Sequence, residues 1–129
     1  MKFAYTILYV RDVPCSLAFY ESAFGLRRRF LHESGMYGEL DTGATTLSFV
    51  GEELAKSTLP EGFQRSDPSL PPAAFEVAFA TAEVPAAYER AVGAGAAAVV
   101  PPKVKPWGQT VAYVRDLDGH LIELCTPMP

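Results

Sequence analysis

The sequence has 129 residues, which suits one compact domain, or two very small modules that share one core. Hydrophobic residues make up 49% and charged residues 20%, a balance that excludes intrinsic disorder. The formal net charge of -4 argues against a nucleic-acid partner, because such proteins usually present a basic face to phosphates. This charge mildly favours a neutral or cationic small ligand.

Neither a membrane span nor a metal-binding cysteine motif is indicated. No apolar run approaches the roughly 20 residues that cross a bilayer. The N-terminal segment has a short apolar run without a small-residue cleavage site, so we interpret it as a first strand and expect a cytoplasmic protein. Cys15 and Cys125 lack the spacing of metal ligands, and we expect both to be reduced.

The first half of the chain predicts a strand, a helix and three short strands. Residues 3–10 are rich in β-branched and aromatic types, as in a buried strand. A helix is predicted over about residues 14–24, with Asp12 as N-cap, Pro14 in its first turn and Gly25 as its stop. Short strands are predicted to follow at residues 28–33, 37–40 and 45–50.

The second half repeats this order. Residues 75–80 predict a strand and residues 85–94 a helix, which Gly95 ends. Strand, acidic-Val-Pro turn, helix and glycine stop recur in register to within one residue, which indicates an internal duplication. The last strands are predicted at residues 97–100, 110–115 and 121–125.

A proline-rich segment separates the two halves. We expect a single domain with one module at about residues 1–52, a linker at about 53–72 and a second module at about 73–129. The linker is predicted to hold one short helical turn, and a connection of this length often has a functional or lid role.

The predicted fold is therefore α+β, with two paired βαβββ modules. Each half-sheet has one side covered by its helix, so its other side must face the other half, another subunit or a ligand. Two curved half-sheets side by side form a cup-shaped mixed sheet with helices on the outer face. We expect a binding site in that cup.

Three segments carry a family resemblance: residues 9–26, 78–96 and 106–124. The last is the most specific, with its Pro-Trp-Gly entry, its Asp-x-Asp-Gly turn and its closing Ile-Glu-Leu. The chain resembles the vicinal oxygen chelate superfamily, which includes glyoxalase I, bleomycin-resistance proteins, fosfomycin-resistance enzymes and extradiol dioxygenases. In type it is closest to the metal-free bleomycin-resistance-like branch. The resemblance implies a homodimer, which the small modules and their open sheet edges also favour.

The resemblance also implies four metal-ligand positions, which metal-dependent members fill with His or Gln, Glu, His and Glu. The matching residues here are Tyr5, Ser48 (or Thr46, if the register slips by two), Glu76 and Glu123. Two carboxylates remain and both imidazoles are missing. We therefore expect no tightly bound metal, although two carboxylates could hold a hard divalent ion weakly through added waters.

The remaining histidines do not replace the missing ligands. His120 follows the Asp-Gly turn and is expected to point away from the cup, and His32 is expected to be exposed. The two carboxylates have two interpretations. Glu76 and Glu123 either pair with a basic or backbone donor, or recognise a cationic ligand, and an apolar cup would raise the pKa of such a carboxylate.

Aromatic residues supply further candidates. Trp107 is predicted to lie in a loop, where it either stacks on a planar ligand or plugs the sheet edge. Tyr5, Tyr37 and Tyr113 occupy strand positions that face either the core or the cup.

Together these features predict a metal-free small-molecule-binding protein, which would sequester a planar or cationic compound in the manner of antibiotic-resistance proteins. The alternative is a metal-dependent, glyoxalase-type lyase or isomerase that acts on a 2-oxo or enediolate substrate. A regulatory module that binds a metabolite is a third possibility. No catalytic residue is identified. The candidate ligand-binding residues are Tyr5, Tyr37, Ser48, Glu76, Trp107, Tyr113 and Glu123.

Overall fold

The computed structural model describes all residues from Met1 to Pro129 and divides into two compact units, Met1–Arg65 and Ser66–Pro129. The boundary lies within the segment predicted as a linker. Each unit has the order β-α-β-β-β and a four-stranded mixed sheet, with one further helix in the first unit. The predicted α+β class and βαβββ modules are confirmed.

Unit 1 orders its sheet β1-β4-β3-β2. The first strand pairs in parallel with β4, and the other pairs are antiparallel. Its elements are β1 (Tyr5–Val10), α1 (Val13–Phe24), β2 (Arg27–Leu31), β3 (Tyr37–Asp41), β4 (Thr46–Gly51) and α2 (Glu52–Thr58).

Helix α1 begins and ends where the sequence predicts. The Asp12 side chain accepts a hydrogen bond of 2.9 Å from the backbone N–H of Cys15, so one of the free donors of the first turn is satisfied. Gly25 ends the helix with a φ of 68°, in the left-handed region that glycine adopts without steric cost.

The helix covers one face of the unit 1 sheet. Tyr20 is fully buried, and its ring lies 4.9 Å from the ring of Phe49 on β4. Leu17 lies so close to Gly38 that a Cβ there would sit 2.6 Å from its Cδ1, so the small residue on β3 is what lets helix and sheet approach. Because side chains alternate along a strand, the neighbour of Phe49, Ser48, points to the opposite face.

Unit 2 orders its sheet β5-β8-β7-β6, with β5 and β8 parallel. Helix α3 packs on one face of this sheet, where the buried side chains are Ala112, Val114, Ile122 and Leu124. Alternation along β7 and β8 places Tyr113 and Glu123 on the opposite face. The elements are β5 (Val77–Ala80), α3 (Val84–Gly93), β6 (Ala97–Val104), β7 (Thr110–Arg115) and β8 (Leu121–Cys125).

Three sequence predictions are corrected by the structure. The strand predicted from residue 75 begins at Val77, so Glu76 lies just before β5 and not in it. A tight turn, in which Phe75 N–H donates to Ala73 C=O at 2.8 Å, keeps this stretch out of the ladder. Strand β6 continues to Val104 through two prolines, because it is an edge strand whose register shifts there.

The third correction concerns the start of the predicted linker, which forms the seven-residue helix α2 instead of a single turn. Beyond it, Arg65 donates from Nε to both carboxylate oxygens of Glu52, at 3.0 and 2.8 Å. The ring of Phe63 lies edge-on to Tyr9 of β1 at 4.9 Å. These contacts tie the end of unit 1 to its own sheet.

The structure also places His32 and the two cysteines. His32 is exposed, as predicted, but it lies in the loop after β2 and not in the strand predicted at residues 28–33, because β2 ends at Leu31. Both cysteines are free thiols. None of the helices is long and apolar enough to cross a membrane.

Candidate functional site

The helix-free face of the unit 2 sheet carries a phenol and a carboxylate in direct contact. Tyr113 on β7 and Glu123 on β8 are directly opposite partners in the antiparallel ladder. The phenol donates a hydrogen bond of 3.0 Å to Oε1 of Glu123. The pleat puts both side chains on the same face at the middle of their strands, so the sheet register itself creates this contact.

A second carboxyl group completes the cluster. Glu76, at the entrance to β5, lies close enough to Glu123 for each carboxyl group to affect the pKa of the other. Glu76 is exposed, yet partial desolvation, followed by hydrogen bonding to Glu123 and its negative charge, raises the pKa of Glu76 to about 7. Burial also acts to raise the pKa of Glu123, but hydrogen bonds from Glu76, Tyr113 and Cys125 outweigh it and lower that pKa. The two carboxyl groups therefore titrate as a pair, which keeps one shared proton below about pH 7.

The two other donors of the cluster stay protonated at neutral pH. Burial and the hydrogen bond to Glu123 raise the pKa of Tyr113 to about 12. The same two causes raise the pKa of the Cys125 thiol. Neither group is activated as a nucleophile or base, since each is held in its neutral, donating form.

Small residues border the carboxyl pair. Ala78 on β5 lies opposite Glu123 in the parallel ladder, and Ala80 lies opposite Cys125. Both alanines are exposed. A ligand that reaches the carboxyl pair would therefore meet an open, mainly apolar floor beside a fixed negative charge.

Unit 1 holds a counterpart of this cluster, built from Tyr37, Glu39 and Ser48. The Tyr37 phenol donates to Oε2 of Glu39 at 2.5 Å and lies 3.2 Å from Oγ of Ser48. Burial and the bond to Glu39 raise the pKa of Tyr37. Ser48 is fully buried, so this contact satisfies a hydroxyl that water cannot reach.

Sheet register defines which residues correspond between the units. In unit 1, Ser48 is opposite Ile7 and Glu39, and in unit 2 Glu123 is opposite Ala78 and Tyr113. Ser48, rather than Thr46, therefore has the place in unit 1 that Glu123 has in unit 2. Where unit 2 has a carboxylate, unit 1 has a buried hydroxyl.

The remaining candidates lie at the margins of their units. Tyr5 is the first residue of β1 and is half exposed. Trp107 lies in the loop between β6 and β7, as predicted, and its indole N–H donates to Oε1 of Gln109 at 2.7 Å. The ligand-binding roles of both residues stay predictions.

The cluster does not fit the metal that many vicinal oxygen chelate proteins bind. No three His, Cys, Asp or Glu side chains anywhere in the chain are placed to hold a metal ion. Ser48, at a ligand position of unit 1, is a buried hydroxyl engaged with Tyr37. We therefore derive no chemistry through a metal.

Three residues that contact the clusters or the linker were not identified from the sequence: Glu39, Cys125 and Arg115. Glu39 was detectable as the same-face neighbour of Tyr37, two residues along a strand. Cys125 stands in the same relation to Glu123. Arg115 precedes the Asp-x-Asp-Gly turn, and nothing in the sequence shows that its side chain contacts the linker.

A duplicated βαβββ unit, with a polar cluster on the helix-free face of each sheet, defines the structural class of this protein. The chain matches the family model of the Glyoxalase/Bleomycin resistance protein/Dioxygenase superfamily over residues 2–124, and it belongs to that superfamily. The resemblance inferred from the sequence is thereby confirmed. No curated protein matches the chain at a significant level of sequence similarity.

Solved structures show the same fold. A glyoxalase-related enzyme from Fulvimarina pelagi is similar with a TM-score of 0.83 at 23% identity, covering 98% of this chain and 88% of that one. A protein of unknown function from Agrobacterium tumefaciens has a TM-score of 0.78 at 26% identity, covering 98% and 94%. A glyoxalase/bleomycin resistance protein/dioxygenase family enzyme from Burkholderia phytofirmans has a TM-score of 0.77 at 21% identity, covering 98% of both chains.

Proposed function

We propose that this protein binds a cationic small molecule at the carboxyl pair Glu76–Glu123 and does so without a metal. The observation that carries the proposal is the hydrogen bond of 3.0 Å from Tyr113 to Glu123 on the helix-free face, beside a second carboxyl group, Glu76, whose pKa the neighbouring carboxylate helps to raise. Two carboxyl groups that share one proton form a site with a net charge of about -1, which matches a monocation.

A protonated amine can take the place of the shared proton. An ammonium group has three N–H donors, enough to reach both carboxylates, and charge-assisted hydrogen bonds of this kind are stronger than neutral ones. Tyr113 keeps Glu123 ionised and oriented before the ligand arrives. Binding then releases the proton of Glu76, so affinity for an amine is expected to rise with pH up to about 7.

The surroundings favour a planar apolar body on the cation. Ala78 and Ala80 leave the floor beside the carboxyl pair open and apolar. Trp107 is 55% exposed and belongs to the same unit. We propose that it stacks on the ligand, since an exposed indole offers both a flat apolar surface and a cation–π partner.

Binding without a reactive nucleophile or metal amounts to sequestration, so we propose a resistance-like protective role and a homodimer as the functional form. The edge strand β1 supports the dimer because Tyr5 and Ile7 leave about half of their surface exposed. Such an edge is normally covered in the functional form of a protein.

The test is calorimetric titration with phenethylamine and with its uncharged analogue 2-phenylethanol, at about pH 6 and about pH 8. We expect the amine alone to bind, more tightly at the higher pH. Glu123→Gln should abolish binding. Glu89→Gln, an equal loss of charge on the exposed face of α3, should not. Equal affinity for both compounds, or unchanged binding in Glu123→Gln, would contradict the proposal.

Metal analysis tests the alternative enzyme class. Protein purified without chelators is expected to carry no stoichiometric zinc, nickel, manganese or iron. One equivalent of such a metal per chain, lost in Glu123→Gln, would instead favour the lyase or isomerase hypothesis.

A further inference from the structure

The loop between β6 and β7 leaves the backbone of Trp107 little freedom. Lys105 N–H donates to Gln109 C=O at 2.7 Å, and Gly108 N–H donates to Lys105 C=O at 2.9 Å. Gly108 has a φ of +97°, in the left-handed region. This is the pattern of a three-residue hairpin loop, in which a turn is followed by a left-handed glycine. Pro106, Trp107 and Gly108 form the loop, and proline restricts its first position further.

The side chain of Trp107 is exposed but still has a hydrogen-bond partner within its unit. The residue is 55% exposed, and its indole N–H donates to Oε1 of Gln109 at 2.7 Å. The same amide group donates from Nε2 to Thr126 C=O at 2.7 Å. Gln109 therefore connects the indole to the backbone at the end of β8.

An amide side chain suits this place because its two partners need opposite groups. The indole N–H only donates and the Thr126 carbonyl only accepts, so Gln109 must turn its oxygen to one and its nitrogen to the other. A glutamate of the same length has no donor, and a methionine has neither group. The orientation of the Gln109 amide is thus determined by the chemistry of its partners.

Thr126, at the end of this chain of bonds, is itself held by the sheet. It directly follows β8, and its N–H donates to Thr110 C=O at 3.0 Å. Its hydroxyl accepts a hydrogen bond from Thr110 N–H, also at 3.0 Å. Thr126 lies three residues beyond Glu123, a distance of about 10 Å along an extended chain. The indole is therefore connected to the same two strands that carry Tyr113 and Glu123.

We infer that Gln109 is a positioning residue, which holds the indole of Trp107 in one orientation as a surface for stacking. Because the indole N–H is bonded to Gln109, the ring offers a ligand its faces and not its donor. An exposed side chain that is already held loses less conformational freedom when a ligand binds. Such a surface favours a flat aromatic cation over a cation of equal charge and similar size that is not flat.

The ligand in this inference is the one in the proposed function, but the positioning is testable without a ligand. Trp107 is the only tryptophan of the chain, so its indole N–H gives a single signal in ¹H–¹⁵N NMR spectra. Relaxation of that signal yields an order parameter for motion on the picosecond to nanosecond timescale, on which exposed side chains change rotamer. We expect a wild-type indole as rigid as the strand backbone, with an order parameter of about 0.85.

Gln109→Met removes both hydrogen bonds with little change in size. We expect the indole order parameter to fall below about 0.6, the range of flexible groups. The backbone amides of β7 should keep their values, which separates release of the indole from general loosening of the unit. Gln64→Met is the matched control, because it makes the same change at an exposed glutamine of unit 1. It should leave the indole signal unchanged.

Gln109→Glu separates the two bonds of the amide. The carboxylate still accepts from the indole N–H, but it cannot donate to Thr126 C=O. If Gln109 acts by connecting the indole to β8, the order parameter should fall in this variant as well.

The ligand arm compares phenethylamine with 2-cyclohexylethylamine, which has the same charge and a six-membered ring that is not flat. We expect the wild type to bind phenethylamine more tightly, by about 2- to 10-fold, through stacking on Trp107. In Gln109→Met the two affinities should become nearly equal, because a mobile indole must first be ordered by the ligand.

An indole that is mobile in the wild type, or as rigid in folded Gln109→Met as in the wild type, would overturn the inference. So would a rigid indole in Gln109→Glu, which remains the decisive variant if the methionine protein does not fold. An undiminished preference for phenethylamine in Gln109→Met would also contradict it. If neither amine binds the wild type, the proposed function fails, and the order parameters still decide whether Gln109 positions the indole.

Discussion

The phenol of Tyr113 and the carboxylate of Glu123 are opposite partners on adjacent strands, joined by a hydrogen bond of 3.0 Å. This contact stabilises the ionised form of Glu123, and it does so in a cluster where Glu76 keeps its proton. The pKa values of two chemically identical side chains thus shift in opposite directions, because Glu123 has three donors around it and Glu76 has mainly the Glu123 carboxylate.

Replacing Tyr113 by Phe removes one of the donors that hold Glu123 ionised. We expect the pKa of Glu123 to rise, because the variant loses a hydrogen bond that favours the charged form while burial is retained. Losing this bond should also cost about 1 kcal/mol of stability. A ¹³C titration of the glutamate carboxyl groups and urea unfolding measure the two effects.

Tyr88→Phe provides the control, because this half-buried tyrosine lies on α3, which packs on the other face of the sheet. It should leave the Glu123 titration unchanged. A Tyr113→Phe protein that titrates like the wild type would show that the phenol does not act on Glu123.

The raised pKa of Glu76 makes stability depend on pH. Its value of about 7 lies above the ordinary 4.5, so the folded state binds the proton more tightly than the unfolded state. This contribution is fully present below about pH 4.5 and is lost as the pH rises through about 7. Glu76→Gln keeps the size of the side chain and its ability to hydrogen-bond, but it cannot ionise. The variant should therefore not lose this stability as the pH rises.

Urea unfolding at about pH 5, 6, 7 and 8 measures the difference between the two proteins. Wild-type stability should decline relative to Glu76→Gln over this range and level off above it. Parallel profiles would mean that Glu76 titrates equally in the folded and unfolded states, which would contradict the shared proton.

The elements of this fold were predictable because they depend on local chemistry. Asp12, Pro14 and Gly25 mark the start and end of α1 by capping rules that need no tertiary information. Strands β7 and β8 have the predicted bounds because the Asp-x-Asp-Gly turn between them is a strong local signal. The internal repeat also made the order of elements predictable, because the second unit follows the order of the first.

The contacts of the site were less predictable because they depend on register and on segments outside the ladders. Glu76 was assigned to a strand by its sequence neighbours, but it lies before β5, where Glu123 helps to raise its pKa. Arg115 is an ordinary strand residue in sequence, and three of its four backbone contacts exist only because the linker returns to the β7–β8 turn. Sequence patterns indicate which face a residue occupies, but not which distant segment reaches it.

Gly119 and Gly43 form a matched pair for measuring how tightly the linker is packed. Both have left-handed φ values, +93° and +95°, so alanine incurs similar backbone strain at either site. Only at Gly119 would the added Cβ meet other atoms, among them the backbone of Pro68. We expect Gly43→Ala to cost about 1 kcal/mol and Gly119→Ala about 1–3 kcal/mol more, from overpacking. Equal losses in urea unfolding would mean that the linker yields without cost.

Asp12 caps the start of α1 and also raises the pKa of the Cys15 thiol. The substitution Asp12→Ala tests both effects. Its carboxylate accepts the Cys15 N–H at 2.9 Å, and its hydrogen bond to the thiol, followed by its charge, raises the pKa of Cys15. Asp12→Ala should therefore cost about 1 kcal/mol of stability and make Cys15 react faster with iodoacetamide at fixed pH. The buried Cys125 contributes little to that rate.

Glu83→Ala is the matched control, since Glu83 precedes α3 without a side-chain cap bond, and it should change neither quantity. Slower alkylation in Asp12→Ala would show that the carboxylate activates the thiol instead of suppressing its ionisation.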